Sequence, residues 1–248
     1  MCSALANRTL STSSNLSKND KATLSATDCL ATKKLIIFDW DGTLMDSIGL
    51  IVESMHVAGE VHGFVTTDQA VKDIIGLSLL IGIKILYPTA TIEQQLAIQK
   101  SYSDYYIANS QRTPLFPHIE AMLRTLVQQG KQLAVATGKN RRGLDRVLDA
   151  SHSRNYFVDT RCADESASKP DPKMLNDILN KSQRQVSDAV FIGDSIYDIQ
   201  MANNIGMTSI AVNYGTASSQ ELATQFPTYQ VDTPQALAKL LGMQIKML

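Results

Sequence analysis

The chain has 248 residues, of which 44% are hydrophobic and 19% charged, as in an ordinary globular protein of one or two domains. Its 23 basic and 24 acidic residues give a formal net charge of −1, which argues against general electrostatic binding to nucleic acids or anionic membranes. The most apolar stretch, residues 74–86, is shorter than the ~20 residues of a membrane-spanning helix. Cys2, Cys29 and Cys162 lack the spacing of a disulfide framework or a zinc site, and this favours the reducing cytoplasm.

The first 33 residues differ in composition from the rest of the chain. They are rich in Ser, Thr and Asn and contain no apolar run of the kind found in a secretory signal. Because such a segment cannot bury enough apolar surface to offset its ordering, residues 1–33 are predicted to be a disordered extension.

Short apolar runs then alternate with helical patterns. The helical patterns include residues 119–126, closed by Gly130, and two helix starts at Asp171-Pro172 and Thr233-Pro234. This alternation predicts an α/β fold with a parallel sheet that is covered on both faces. Strands are predicted at residues 35–38, 133–136, 189–192 and 209–212, with a weaker candidate at 156–158.

One interval breaks the alternation. Residues 47–113 contain helical patterns at 48–60, 67–75 and 91–109 and no convincing strand. They therefore predict a small helical domain inserted after the first strand, and residues 34–46 and 114–248 then form the core.

Polar side chains follow the predicted strands. Ligands of open α/β sheets bind beyond the carboxyl ends of the strands, so we expect these side chains to converge at one edge. Carboxylates so close together would repel, and a divalent cation with oxygen ligands, best Mg²⁺, would offset their charge. A cation, a lysine and a hydroxyl together suit a phosphoryl group. The residues concerned are Asp39 and Asp41 after the first strand, Thr137 and Gly138 after the second, Lys169 after the third, and Asp194 and Asp198 after the fourth.

Residues 33–242 contain four motifs in a recognisable order. With them, the chain resembles the haloacid dehalogenase superfamily, in the subgroup of phosphoglycolate phosphatase and β-phosphoglucomutase. The resemblance implies a Rossmann-like, three-layer core and a small helical cap, residues 47–113, inserted after the first motif. The motifs are DWDGTL, the threonine of ATGK, the lysine of SKPDP, and GDSIYD.

The resemblance also implies roles for single residues. Asp39 corresponds to the nucleophile that forms an aspartyl-phosphate, and Asp41 to the general acid and base. Thr137 and the N–H of Gly138 would bind phosphoryl oxygens, and Lys169 would neutralise the nucleophile and the transferring group.

The implied metal ligands lie in the first and fourth motifs. Asp39, the backbone carbonyl of Asp41 and Asp194 would bind Mg²⁺. Asp198 would act on the metal site too, or would orient a metal-bound water or Lys169.

The predicted function is a Mg²⁺-dependent phosphatase that hydrolyses a small, phosphoglycolate-like phosphomonoester, with no nucleic-acid or membrane partner. A phosphomutase of the β-phosphoglucomutase type is the alternative enzyme, and a non-catalytic phosphate-binding regulatory protein is the alternative from another class. Three arginines, Arg141, Arg142 and Arg146, are expected to form a solvated helix face, with substrate contact as the other interpretation. His118 and Gly138 stand where relatives often have Gly and Asn.

Overall fold

The computed structural model describes residues 26–243, and its core is a single parallel β-sheet. The strand order is β3-β2-β1-β4-β5-β6, so the first strand lies at the centre of the sheet. This confirms the predicted α/β class with a parallel sheet. The strands are β1 (Leu35–Phe38), β2 (Gln132–Thr137), β3 (Phe157–Cys162), β4 (Ala189–Gly193), β5 (Thr208–Val212) and β6 (Tyr229–Val231).

Helices connect and cover the strands. Within residues 26–243, every helix is too short or too polar to span a bilayer. The helices are α1 (residues 26–31), α2 (Ile48–Val61), α3 (Asp68–Ile74), α4 (Leu79–Leu86), α5 (Ile92–Asn109), α6 (Ile119–Gln128), α7 (Arg141–Ala150), α8 (Lys173–Ser182), α9 (Ile196–Asn203), α10 (Ser219–Ala223) and α11 (Pro234–Leu240).

The three layers follow from the alternation of side chains along the strands. On one face of β1, Ile36 and Phe38 pack with apolar residues of α1, α6, α7 and α11. On the other face, Leu35 and Ile37 pack with apolar residues of α8 and α9. Because both faces are covered, the central strands are apolar throughout, which is why they could be recognised from the sequence.

Residues 26–33, which precede the predicted core, include a helix that packs against the core. Residues 26–31 form α1, and Leu30 is buried in the same apolar cluster as α6. Lys33 is also buried, and its ammonium donates to the carbonyl oxygen of Ser187 at 2.8 Å. Residues 26–33 were predicted to be disordered, but the contacts of Leu30 and Lys33 attach them to the core. The rest of the predicted extension, residues 1–25, lies outside the described residues.

Two details of the core also differ from prediction. β6 was not predicted, because its three residues are only half-buried and lack a clear apolar pattern. The N-cap of α8 is Pro172 rather than Asp171, so the helix begins one residue later than expected. The carboxylate of Asp171 still accepts a hydrogen bond from the backbone N–H of Lys173 at 2.8 Å.

Between β1 and α6 lies the helical segment, residues 48–112, which comprises α2–α5 and a final 3₁₀ turn. Its helices share an apolar cluster distinct from those of the sheet, with Met55, Ile83 and Ile98 fully buried. The chain leaves and re-enters the core side by side, since the N–H of Asp46 donates to the carbonyl oxygen of Pro114 at 2.9 Å. Helix α4 was not predicted, because its apolar run gives no helical period.

Candidate active site

The residues singled out in the sequence meet at the carboxyl edge of the sheet. β1 ends directly before Asp39, β2 ends at Thr137, and β4 ends directly before Asp194. Lys169 reaches the same edge from the loop that follows β3. The sheet order places β1 between β2 and β4, so the first motif lies between the other two strand ends.

Lys169 is fully buried between two carboxylates. Its ammonium lies 2.9 Å from Asp39 Oδ1 and 2.7 Å from Asp198 Oδ1. Burial alone would lower the pKa of Lys169, but the charges of Asp198 and Asp39 outweigh it and raise the pKa overall. The lysine is therefore held in its charged form beside Asp39.

Asp194 is fixed from two sides. The hydroxyl of Thr43 donates to Oδ1 at 2.7 Å, and the N–H of Thr216 donates to Oδ2 at 2.8 Å. Burial and the nearby charge of Asp198 raise the pKa of Asp194 to about 6, although both threonine contacts lower it. Gly42 approaches so closely that any side chain there would collide with the Asp194 carboxylate.

The buried carboxylates fit a divalent cation. Asp39, Asp194 and Asp198 each offer an oxygen, and these oxygens all lie within 4.8 Å of one another. Burial raises the pKa of Asp39 well above its ordinary value, against the opposing charge of Lys169. Asp39 Oδ1 has no well-angled hydrogen bond within the described residues, although Lys169 is close. One lysine thus leaves excess negative charge that a hard cation with oxygen ligands would offset.

Both carboxylate oxygens of Asp198 already accept hydrogen bonds, one of them from Lys169. Its Oδ1 accepts from Lys169, and its Oδ2 accepts from the backbone N–H and the hydroxyl of Ser195, at 3.0 and 2.7 Å. Both oxygens are therefore engaged, which favours the positioning of Lys169, one of the roles expected from the sequence.

The carboxylate of Asp41 lies apart from this cluster and binds a different lysine. Lys139 donates to both of its oxygens, at 2.8 and 2.9 Å, and the hydroxyl of Ser47 donates to Oδ1 at 2.6 Å. Burial lowers the pKa of Lys139, but Asp41 and two tyrosines raise it by more. The two catalytic candidates, Asp39 and Asp41, therefore have separate cationic partners.

Lys139, Ser47 and Tyr106 were missed as site residues. The Tyr106 hydroxyl lies 3.3 Å from the Lys139 ammonium, which also lies 4.6 Å from the centre of the Tyr106 ring. The signal for Lys139 was its place in ATGK, directly after the residues assigned to phosphate binding. Tyr106 packs in the apolar cluster of the helical segment and also lines the cavity of the site.

A cavity of about 220 Å³ opens at this edge, between the core and the helical segment. Asp39, Asp41 and Thr137 lie in its wall. The loop between α3 and α4 covers one side, and a Cβ at Gly138 would come within 2.5 Å of the carbonyl oxygen of Leu77. This close approach leaves no room for a side chain at position 138 unless the loop moves.

The comparisons with known proteins agree with this geometry. Residues 36–212 match the sequence model of a family described as haloacid dehalogenase-like hydrolase. A phosphoglycolate phosphatase of Vibrio vulnificus strain CMCP6 is 32% identical over 221 residues, which cover 85% of this chain and 95% of the relative. One from Vibrio cholerae serotype O1 is 30% identical over 210 residues, covering 80% and 92%. The crystal structure of a hydrolase from Pseudomonas syringae has the same fold, with a TM-score of 0.79, 23% identity, and coverage of 84% of this chain and 98% of that one.

Proposed function

Since the chain belongs to the haloacid dehalogenase-like hydrolases, we propose that it is a Mg²⁺-dependent phosphatase of a small, phosphoglycolate-like metabolite. The observation that carries the proposal is the buried group of Asp39, Asp194, Asp198 and Lys169 beside a cavity that also contains Asp41. A nucleophile, an acid and positive charge for a phosphoryl group are thereby within one site.

Asp39 attacks the phosphorus atom of the substrate. A bond forms between a carboxylate oxygen and phosphorus, the bond from phosphorus to the ester oxygen breaks, and the leaving oxygen takes a proton from Asp41. Asp41 then removes a proton from water, which attacks the phosphorus of the aspartyl-phosphate and releases inorganic phosphate and Asp39.

Asp41 can serve this reaction because it is held in the cavity wall. Ser47 and Lys139 fix its carboxylate from two directions. Both contacts hold the carboxylate in one orientation at the cavity wall.

Positive charge and donors surround the position of the phosphoryl group. Lys169 neutralises Asp39, and Thr137 and the N–H of Gly138 bind phosphoryl oxygens. Asp39, Asp194 and the backbone carbonyl of Asp41 would hold Mg²⁺, aided by Asp198, and the ion would supply charge that offsets the phosphoryl oxygens.

The helical segment serves as a cap in this proposal. Its α3–α4 loop lies on Gly138, and the N–H of Ser78 donates to the Ser168 hydroxyl at 3.0 Å, beside Lys169. These contacts keep bulk water from the phosphoryl group while the reaction proceeds.

Phosphate release from a panel of phosphorylated metabolites tests the proposal. We expect release in MgCl₂, none in EDTA, and a loss of about 10³-fold or more in kcat for Asp39→Asn. The control is Asp104→Asn, the same change on an exposed residue of α5 that pairs with Lys100. It is expected to retain full activity.

Three outcomes would contradict the proposal. Turnover that requires a sugar bisphosphate activator and returns phosphate to the sugar would indicate a phosphomutase. Phosphate binding without release from any substrate would indicate a regulatory protein. Activity that survives both EDTA and Asp39→Asn would exclude the mechanism.

A further inference from the structure

The cavity contains two arginines that the catalytic steps above do not use. Arg142 and Arg146 line it together with Asp39 and Thr137. Both lie on α7, one helical turn apart, so they project from the same face of the helix. The remaining wall is largely apolar and includes Ile51, Met55, Ile74, Ile75, Leu77 and Leu79.

The acidic residues of α7 are occupied elsewhere. Asp145 and Asp149 pair with Arg154, at 2.9 and 2.8 Å, and Asp145 also lies 3.7 Å from Arg141. Arg141 binds Glu165 at 2.7 Å. Two guanidinium groups one turn apart therefore line a cavity, with Arg142 exposed and Arg146 half-buried. Within residues 26–243, neither guanidinium has an ion pair or a hydrogen bond.

The two lysines of the site, Lys139 in the cavity wall and Lys169 beside Asp39, already have carboxylate partners. Lys139 binds both oxygens of Asp41, and Lys169 lies between Asp39 and Asp198. A substrate with a second acidic group would consequently meet Arg142 and Arg146 as the cations without a partner. Arginine binds carboxylate and phosphate through two parallel hydrogen bonds, which gives it selectivity for such groups.

We propose that Arg142 and Arg146 form a second anion subsite, which binds an acidic group on the leaving part of the substrate. The inference rests on the proposed phosphatase function and assigns to these two arginines the recognition of a second anionic group, a carboxylate or another phosphate. The small cavity limits the spacer to a few atoms.

Three phosphomonoesters with the same two-carbon skeleton test the subsite. They are 2-hydroxyethyl phosphate, phosphoglycolate and ethylene glycol bisphosphate, which differ only in a terminal hydroxyl, carboxylate or phosphate. We expect kcat/KM of the full chain to be about tenfold or more higher for at least one anionic substrate than for the hydroxyl substrate, because hydrogen bonds to charged groups contribute that much. The anionic substrate that is preferred identifies the group.

The variant Arg142→Gln/Arg146→Gln should remove this preference. We expect KM of the preferred anionic substrate to rise about tenfold or more, with kcat and the hydroxyl substrate little changed. The double lysine variant should recover part of the loss, since it restores charge without the planar guanidinium. Arg124→Gln, an exposed arginine of α6 outside the cavity, is the control and should behave like the unchanged chain.

The outcomes separate this inference from the proposed function. No hydrolysis of any of the three esters, or of the wider panel, would overturn the proposed phosphatase itself. Hydrolysis of all three with equal efficiency, unaltered by the double glutamine variant, would leave the phosphatase standing and overturn the subsite. A uniform loss for all three substrates would also overturn it, because a subsite must discriminate between them.

Discussion

The pairing of Asp41 with Lys139 joins a catalytic candidate to a residue 98 positions away. Both side chains are nearly buried, with about a tenth of each exposed. Removing one partner of such a pair leaves the other charge without compensation, and this costs more free energy than removing both. The contact therefore contributes to folding as well as to the arrangement of the site.

A double-mutant cycle measures this coupling. Lys139→Met should lower the free energy of unfolding by about 3 kcal/mol, because it strands the Asp41 carboxylate. Asp41→Asn/Lys139→Met should be less destabilised than the sum of its single variants. Urea unfolding of the four proteins gives the coupling energy, and strict additivity would show that the two side chains act independently.

His118 is an exposed residue with a φ of 69°, in the left-handed region, at the N-cap of α6. A non-glycine residue is strained in this conformation. The histidine at position 118 therefore affects the backbone conformation at the start of α6.

Replacing His118 by Gly should raise the free energy of unfolding by about 0.5–1 kcal/mol, since relief of strain exceeds the added entropy of the unfolded chain. Thermal or urea unfolding measures the change. The matched control is Gln129→Gly at the other end of α6, where φ is −77° and glycine gives no relief. An equal effect at both ends would show that strain at His118 is not the cause.

The sequence predicted which residues approach the site better than it predicted their pairing. Asp39 and Asp194 directly follow apolar strands, so the topology of a parallel sheet places them at one edge. The family resemblance implied that Lys169 would lie beside Asp39 and that Asp198 could orient it. The pairing of Lys139 with Asp41 was not predicted, because it depends on side-chain positions in two loops. Such contacts follow from packing and not from local pattern.

The α3–α4 loop packs its backbone directly against the end of β2. The carbonyl oxygens of Gly76 and Leu77 both face Gly138, and the hydroxyl of Tyr197 on α9 donates to the carbonyl oxygen of Asp73 at 2.9 Å. The backbone of this loop therefore contacts the core directly, and a side chain at position 138 would displace it.

Gly138→Ala should lower kcat/KM about tenfold, because the added methyl group moves the loop away from the cavity at a cost of 1–3 kcal/mol, about that of other overpacked sites. Phosphate release with the preferred substrate measures it. Gly49→Ala is the control: Gly49 lies in α2 with no atom near its would-be Cβ. This second change should leave activity intact and stabilise the helix slightly. If Gly138→Ala left kcat/KM unchanged, activity would not depend on the close contact between Gly138 and the α3–α4 loop.

Elements with a strong period were predicted well, and those without one were not. β1 and α6 have continuous or i, i+3, i+4 apolar patterns, and both were found near their observed limits. α4 is so apolar that no face stands out, and β6 is a short edge strand whose residues remain half-buried. Tertiary contacts with β5 decide the conformation of β6.

The near-zero net charge of the chain conceals a local excess of buried negative charge. The pKa of Asp194 is raised to about 6, and burial raises that of Asp39 well above its ordinary value. With a raised carboxyl pKa, the folded state binds protons more tightly than the unfolded chain. For Asp194, this stabilisation is fully present below the ordinary pKa of 3.8 and is lost as the pH rises through about 6.

Metal binding should reverse this loss. We expect MgCl₂, relative to EDTA, to raise Tm more at about pH 7.5 than at about pH 5, because the ligands must be deprotonated to bind the ion. Thermal unfolding at both pH values measures the difference. Asp194→Asn should abolish most of the Mg²⁺-dependent shift, and a shift equal at both pH values would contradict binding at these carboxylates.

The backbone hydrogen bond between Asp46 and Pro114 has an evolutionary consequence. Because the chain leaves and re-enters the core at adjacent positions, the strand order does not depend on the length or sequence of residues 48–112. The helical side of the cavity wall can therefore change in length and sequence while the strand order and the residues at the sheet edge stay in place.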